Sequence, residues 1–309
     1  MSITAGVEPP GTPPTLTAAP EGGPVHVSIP IWRLALRSFV ENRLAVAGVV
    51  ILVFFVLFSF VGPLLYHTNQ VDTDIANTFL PPQPGNPLGT ESHGFDVLGR
   101  LMKGGQSSLE IAFLSAVIAT VIGTLYGALA GLAGGLLDAA MMRLVDVLLA
   151  IPFLFIVLII ATRFNASVLS LSLLLGAFSW LVPARLVRGE VLSLRSRDFV
   201  SAARVMGAGR WRLISRHLIP NALGVVVVNI TFQVADALLA VSALGFLGFG
   251  LNYPQVSWGD MLSNGISYLL SGYWWLIYPV GLCLVLVVMA SNFIGDALRD
   301  AVDVRLRRR

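Results

Sequence analysis

The sequence predicts an all-α, polytopic membrane protein with six spanning helices, on three observations. Of its 309 residues, 56% are hydrophobic and only 12% are charged, with a mean hydropathy of +0.81. A soluble domain carries about 25% charged residues, so this chain lacks the polar surface that water demands, and a bilayer suits it as solvent. Apolar segments of spanning length recur along it, and about 20 mainly apolar residues cross a hydrocarbon core. The basic residues fall between those segments, mostly on one side. A pI near 9.3 would otherwise suggest nucleic acid, but cations confined to the gaps between apolar runs follow the pattern that membrane insertion selects.

Taken in order, residues 1–30 are rich in Pro, Gly and Thr and have no apolar periodicity. They cannot bury enough surface to offset their ordering entropy, which predicts a disordered cytoplasmic tail. They also lack the charged start and apolar centre of a signal peptide. Spans are predicted at 44–65, 111–137, 144–162, 164–184, 218–249 and 275–295. With the N-terminus inside, every Lys and Arg lies inside except Arg100, Lys103 and Arg163. That asymmetry predicts cytoplasmic N- and C-termini. The outer loop 66–106 is polar and Pro-rich. The outer loop 250–274 is aromatic, with Tyr253, Trp258, Tyr268, Tyr273 and Trp274, and is expected to lie in the membrane interface with a short helix over 258–270. Three units follow: the tail at 1–30, a first helix with its external loop at 31–106, and a five-helix core at 107–309 that carries an internal loop at 185–221.

That internal loop reads as two short helices. The first starts near Ser196 or Asp198, both good N-cap types. It presents Phe199, Val200, Ala203 and Met206 at helical spacing, and Gly207 and Gly209 end it. The second is basic and amphipathic, with Trp211, Ile214 and Leu218 on one side and Arg210, Arg212 and Arg216 elsewhere. Pro220 closes it before the next span. Small residues at Ser201, Ala202 and Ala203 would let another backbone approach closely. Physics alone leaves two readings open: a stiff knob presented to a partner, or a basic interfacial loop.

Ser201-Ala202-Ala203-x3-Gly207, followed by Ile219-Pro220-Asn221, resembles the "EAA…G…P" loop of ABC importer permeases. Leu88-Gly89-Thr90, Gly94-x-Asp96, Arg100, Gly104 and Ser108-Leu109 are similar to the segment before the second span of dipeptide/oligopeptide-type permeases. So are Gly134-Gly135-x2-Asp138-x3-Met142-Arg143-x2-Asp146-x5-Pro152, Phe246 to Gly250 with Trp258-Gly259, and Gly295-Asp296 to Arg305 to later signatures of that family. The resemblance covers about residues 32–309 and points to the C-subunit branch. It implies the six-helix fold of a type I importer permease in the cytoplasmic membrane of a bacterium. It also implies partners: a second homologous permease, two ATPase subunits that hold ATP and Mg, an extracytoplasmic binding protein, and membrane lipid. No cofactor is expected in this chain and no nucleic acid. The loop residues Asp198, Phe199, Ser201, Ala202, Ala203, Met206, Gly207, Pro220 and Asn221 would then meet an ATPase. Cargo would be di- or oligopeptides, with nickel, glutathione or another small solute as alternatives. The sequence departs from the family where Ser201 replaces the usual Glu, Phe95 the usual Arg, and Val241 a common Glu.

The chain contains no Walker motif and only one lysine, Lys103, so it is not expected to cradle ATP phosphates itself. Asp236 is the one acid within the fifth span. It lines a pathway or pairs with a polar group such as Gln233 or one on a partner subunit. Arg143 and Asp146 lie three apart and can pair locally or reach the loop. Gly123, Gly127, Gly131 and Gly134 suit close helix packing, with a hinge as the alternative. The four histidines are scattered, which argues against metal, and Cys283 reads as a packing residue. The basic C-terminus is a topology signal or touches anionic lipid. An ATP-independent secondary transporter would show several intramembrane charges and matched repeats, whereas this chain shows a single buried acid.

Overall fold

The computed structural model describes residues 39–68, 70–163 and 165–307, with side chains through Val302. The predicted tail at 1–30 and the side chains of Arg305 to Arg309 lie outside the described residues. Four unbroken helical runs are long and apolar enough to cross a membrane: Arg43–Phe60, Val97–Ala133, Arg210–Phe246 and Trp274–Val302. Two further pairs pass the same test as bent units, which brings the total to six spans if each pair is one.

Helix α1, Arg43–Phe60, is capped by Asn42, whose Oδ1 accepts from the amides of Leu44 at 3.0 Å and Ala45 at 3.3 Å. Helix α2, Val97–Ala133, has 37 residues and is about 55 Å long at 1.5 Å per residue. Its cap is Asp96, which accepts from the Gly99 amide at 2.7 Å. The second span was expected to start at 111, and the helix starts nearly four turns earlier, at Val97. Those turns carry Arg100, Lys103 and Gln106 but pack against protein, so hydropathy passes over them.

Helices α3, Gly135–Ala150, and α4, Phe153–Ala161, form the predicted third span, broken by 76°. Pro152 sits at the break. It has no N–H to donate, and its ring clashes with the carbonyl four residues back. Helices α5, Val168–Ser179, and α6, Leu181–Leu194, form the fourth span, bent by 45°. Pro183 lies in the first turn after that bend. The helix then runs on through Arg185 and Arg188, residues expected in a loop. Three elements follow: α7 at Asp198–Val205, α8 at Arg210–Leu213, and α9 at Ile219–Phe246. Helix α10, Trp258–Ile266, matches the short helix predicted over 258–270 and begins with a capping box from Ser257 and Asp260. Helix α11, Tyr278–Arg307, completes the chain.

Helix α2 is central and touches α1, α5, α6, α9 and α10. Its glycines set the distance to α6. A Cβ at Gly131 would lie 2.9 Å from Val191 Cγ1, and one at Gly123 would sit 2.8 Å from the Trp180 carbonyl oxygen. These positions therefore serve close packing in lipid. Helix α2 shows no break at them.

At the end of the bundle that carries Asp96, one tryptophan locks three helices. Trp258 is fully buried. Its Nε1 donates to the Leu101 carbonyl at 2.9 Å, and its backbone amide donates to Ser108 Oγ at 3.0 Å. Its ring meets Phe55 of α1 edge-on, 6.0 Å between centroids. Gly104 and Gly105 make room, since a Cβ at either would press on Trp258. The aromatic loop was expected in the interface. Tyr253 and Trp274 are indeed half-exposed, but Trp258 and Trp275 are core residues. Trp275 Nε1 donates to the Thr90 carbonyl at 3.2 Å. Composition cannot separate these two kinds of tryptophan, because each offers one large apolar face and one donor. Trp258→Ala is expected to cost about 3–5 kcal/mol, as large-to-small core changes do. Trp258→Phe is expected to cost about 1 kcal/mol for the lost hydrogen bond. Thermal unfolding of the detergent-purified chain checks both.

Candidate functional site

Two features stand apart from the packed bundle: a protruding two-helix loop at its arginine-rich end, and a cavity at the bends of α3–α4 and α5–α6.

The loop is held from beneath. Val200 and Ala203 of α7 are buried, as are Leu213, Ile214 and Leu218. They join Ala128 of α2 and Val187 and Val191 of α6 in a second hydrophobic cluster, separate from the main core. The outer surface of the same segment is apolar and exposed: Val205 is 89% exposed, Met206 81%, Trp211 64% and Phe199 41%. Ser201 and Ala202 are exposed beside them. The predicted single apolar face thus divides, with Val200 and Ala203 facing in and Phe199 and Met206 facing out. Helix α7 starts differently from expectation. Arg197 occupies the N-cap without a side-chain bond, Asp198 is the first helical residue, and Ser196 Oγ donates to the Ser193 carbonyl. Asp198 still favours the positive end of the helix. Gly207 ends α7 at φ +83°, and the Ala208 amide reaches back to the Ala203 carbonyl at 3.0 Å. Such a left-handed C-terminal stop favours glycine.

Pro220 was expected to close the loop. Instead α8 runs into α9 through a π turn, Ile214–Leu218, with the Ile219 amide bonded to the Ile214 carbonyl. The wider turn fits a proline whose ring would clash in a regular α-helix. Asn221 Nδ2 donates to the His217 carbonyl at 2.6 Å. The loop helix and the spanning helix are therefore one continuous rod.

Two ion pairs fix α3 to α6. Arg188 Nε and Nη2 donate to Asp138 Oδ1 and Oδ2 at 2.6 and 2.7 Å, a bidentate clasp. Arg185 pairs with Asp146. Of the two readings weighed for Arg143 and Asp146, the local pair does not form; Asp146 instead meets Arg185, a residue of the segment expected as the internal loop, which α6 brings across from a distant part of the chain. Tyr126 Oη adds a bond to the Met141 carbonyl at 2.9 Å. Arg195 Nη1 caps α2 at the Gly131 carbonyl, 3.0 Å away.

The cavity has a volume of 450 Å³, within the usual range for small-molecule sites. Leu148, Ile151 and Pro152 line it at one bend, Phe178, Ser179 and Leu181 at the other, and Gln233 and Asp236 on α9. Pro183 cannot donate to the Ser179 carbonyl, and Gln233 Nε2 donates to it instead at 2.9 Å. Gln233 is therefore committed, and the Gln233–Asp236 pairing weighed from sequence does not form. Asp236 is not the single buried acid expected from sequence: it is exposed in this chain, whereas Asp96 and Asp138 are buried. It opens onto the cavity and has no hydrogen-bond or ion-pair partner among the described residues. Sequence reasoning missed the Gln233–Ser179 bond and the Asp138 and Arg185 pairs. The one available signal for the first was Pro183, which implies an orphaned carbonyl four residues back.

The helices make a multi-pass membrane bundle of up to six spans, with a cavity at the helix breaks and a braced apolar knob at one end. Residues 123–308 match the family model described as binding-protein-dependent transport system inner membrane component, and residues 31–82 match the N-terminal TM domain of oligopeptide transport permease C. The chain belongs to this family of ABC transporter permeases. It is 43% identical over 279 residues to oligopeptide transport system permease protein OppC of Escherichia coli (strain K12), which covers 90% of this chain and 92% of that protein. It is 36% identical over 274 residues to dipeptide transport system permease protein DppC of Bacillus subtilis (strain 168), over 89% of this chain and 86% of that one. A solved structure of the MetNI methionine ABC transporter in an inward-facing conformation matches with a TM-score of 0.51 at 24% identity, over 65% of this chain and 95% of that one. This last likeness bears on the fold alone.

The Asp138–Arg188 clasp is only partly exposed, so it should contribute measurably. A double-mutant cycle with Asp138→Asn and Arg188→Gln is expected to give a coupling of about 1–3 kcal/mol in thermal unfolding. Additive single mutants would show that α3 is held by packing alone.

Proposed function

We propose that this chain is one of two permease subunits of an ATP-driven importer that carries oligopeptides across the cytoplasmic membrane. Both termini and the α7–α8 loop lie in the cytoplasm in this reading, as the arginine distribution favours. A second, homologous permease completes the pathway, two ATPase subunits supply the drive, and a binding protein delivers cargo to the Trp258 end. The names of the relatives support peptides as cargo.

The observation that carries the reading is the loop. Its inner face is buried in a dedicated core and its outer face is apolar and bare. Exposed apolar patches rimmed by charge mark interaction sites, and Arg204, Arg210 and Arg212 surround this one. A knob that forms one rod with a spanning helix moves that helix when it moves. We assign Val205, Met206 and Trp211 to the ATPase contact alongside Phe199, Ser201, Ala202 and Gly207, with Ala203 as their internal support. Asp198 starts the docking helix α7, and Pro220 and Asn221 shape the continuation of α8 into α9. The cavity beside Asp236 is part of the pathway. Swinging such a two-state device from 1:99 to 99:1 takes roughly 5.5 kcal/mol, which nucleotide binding on the partner ATPases supplies.

Met206→Asp is expected to leave membrane insertion and melting temperature unchanged, because the side chain touches solvent. It should lower ATPase recovery in a detergent pull-down of the complex by about tenfold, and peptide uptake with it. Full recovery and uptake would remove the loop from the coupling path. Gly207→Val is expected to weaken the complex as well, but with a lowered melting temperature, because a β-branched residue is strained at positive φ.

A further inference from the structure

We infer that Asp236 is a recognition site for the α-ammonium group of a passing peptide; this rests on the reading of the chain as a peptide permease with the cavity in its pathway. Four observations converge on it. Asp236 is the one charged residue lining the 450 Å³ cavity, whose other walls are apolar apart from Ser179 and Gln233. It has no partner among the described residues, and Gln233, one turn away, is tied to the Ser179 carbonyl at 2.9 Å. It lies on α9 within a run of mean hydropathy 1.9. An acid at the centre of a spanning helix costs about 2.5–3.5 kcal/mol on insertion scales, and such acids face cavities and pair with cations; the Asp236 side chain is exposed and so open to a ligand. The cation that would complete this one is missing from the chain's own walls.

The chemistry of the cargo supplies it. Peptides differ in their side chains, but each unmodified peptide carries an N-terminal amine that is protonated at neutral pH, with a pKa near 8. Walls of Leu148, Ile151, Phe153, Phe178 and Leu239 accept varied side chains without directional demands. A lone carboxylate accepts from the one group that all these ligands share, by a charge-assisted hydrogen bond. The site therefore registers a peptide's terminus and ignores its sequence. The two helix breaks that open the cavity place this carboxylate where α4, α5 and α9 meet.

The test uses the assembled importer in proteoliposomes, with labelled tri-alanine as the probe. Asp236→Asn is expected to lower uptake about tenfold or more, the effect of losing a charge-assisted bond. Asp236→Glu should keep most of it, and complex yield and melting temperature should stay unchanged. A complex destabilised without peptide would overturn the inference, since Asp236 would then pair with a basic group of the second permease. Cys283 is the sole cysteine and is buried, so Asp236→Cys in a Cys283→Ala background gives one reactive thiol. An anionic sulfonatoethyl thiol reagent should restore uptake, and a cationic trimethylammonium reagent should not. If neither reagent reaches the thiol, the pathway reading itself is wrong. If both react and act alike, the cavity is on the pathway but the ammonium site is refuted.

Discussion

In hydrocarbon, a backbone carbonyl released from its helix has no water to turn to, and the architecture of this chain follows from that constraint. Proline removes a donor at position 183, and the Ser179 carbonyl is taken up by Gln233 from a different helix. Proline at 220 sits in a rod whose turn has widened to a π geometry, with Asn221 bonded to the His217 carbonyl. At the Pro152 break the Leu148 carbonyl accepts from the Ile151 amide instead. A cavity opens at the bends, and the widened turn joins the loop to α9.

Helix α2 makes these breaks tolerable. It runs unbroken for 37 residues and gives the bent helices something rigid to pack on. Its glycines let α6 approach at contact distance, so the kinked helix is braced by backbone as well as by side chains. Its two ends are then used differently. At one end Trp258 and Ser108 staple it to α10. At the other, Arg195 caps it and Ala128 joins the core beneath α7. A rigid rod held at both ends can transmit displacement, and a bundle of freely curving helices would absorb it. The Asp138–Arg188 and Asp146–Arg185 pairs attach α3 to the same rod through α6.

The membrane class, the existence and order of the apolar spans, and a short helix beginning at 258 were legible because they follow from hydropathy and capping chemistry, although the second, third, fourth and sixth helical units run well past one predicted bound. The loop motif around Ala203 and Gly207 was legible in its pattern, and the structure explains it residue by residue. Gly207 provides the positive φ, Ala203 fits a buried seat, and Met206 is left outside. Less visible were the early start of α2 and the true partners of Asp146 and Gln233. The start of α2 is masked because Arg100 is buried against Phe95, with its guanidinium carbon 4.2 Å above the ring, and faces Glu91 at 3.4 Å. A hydropathy reading takes such residues for loop.

The sequence by itself determined that the chain lives in a bilayer and which segments carry its charge, because these depend on residue type and local spacing. Only the tertiary structure decided which polar groups meet. Arg185 and Asp146, Gln233 and Ser179, and Trp258 and Leu101 lie far apart in the chain and are joined by helix packing. It also decided what was left over. Asp236 became distinctive once its sequence neighbour Gln233 was found committed to another helix. An unpaired group can be recognised only after every candidate partner has been placed, and placement is a property of the fold.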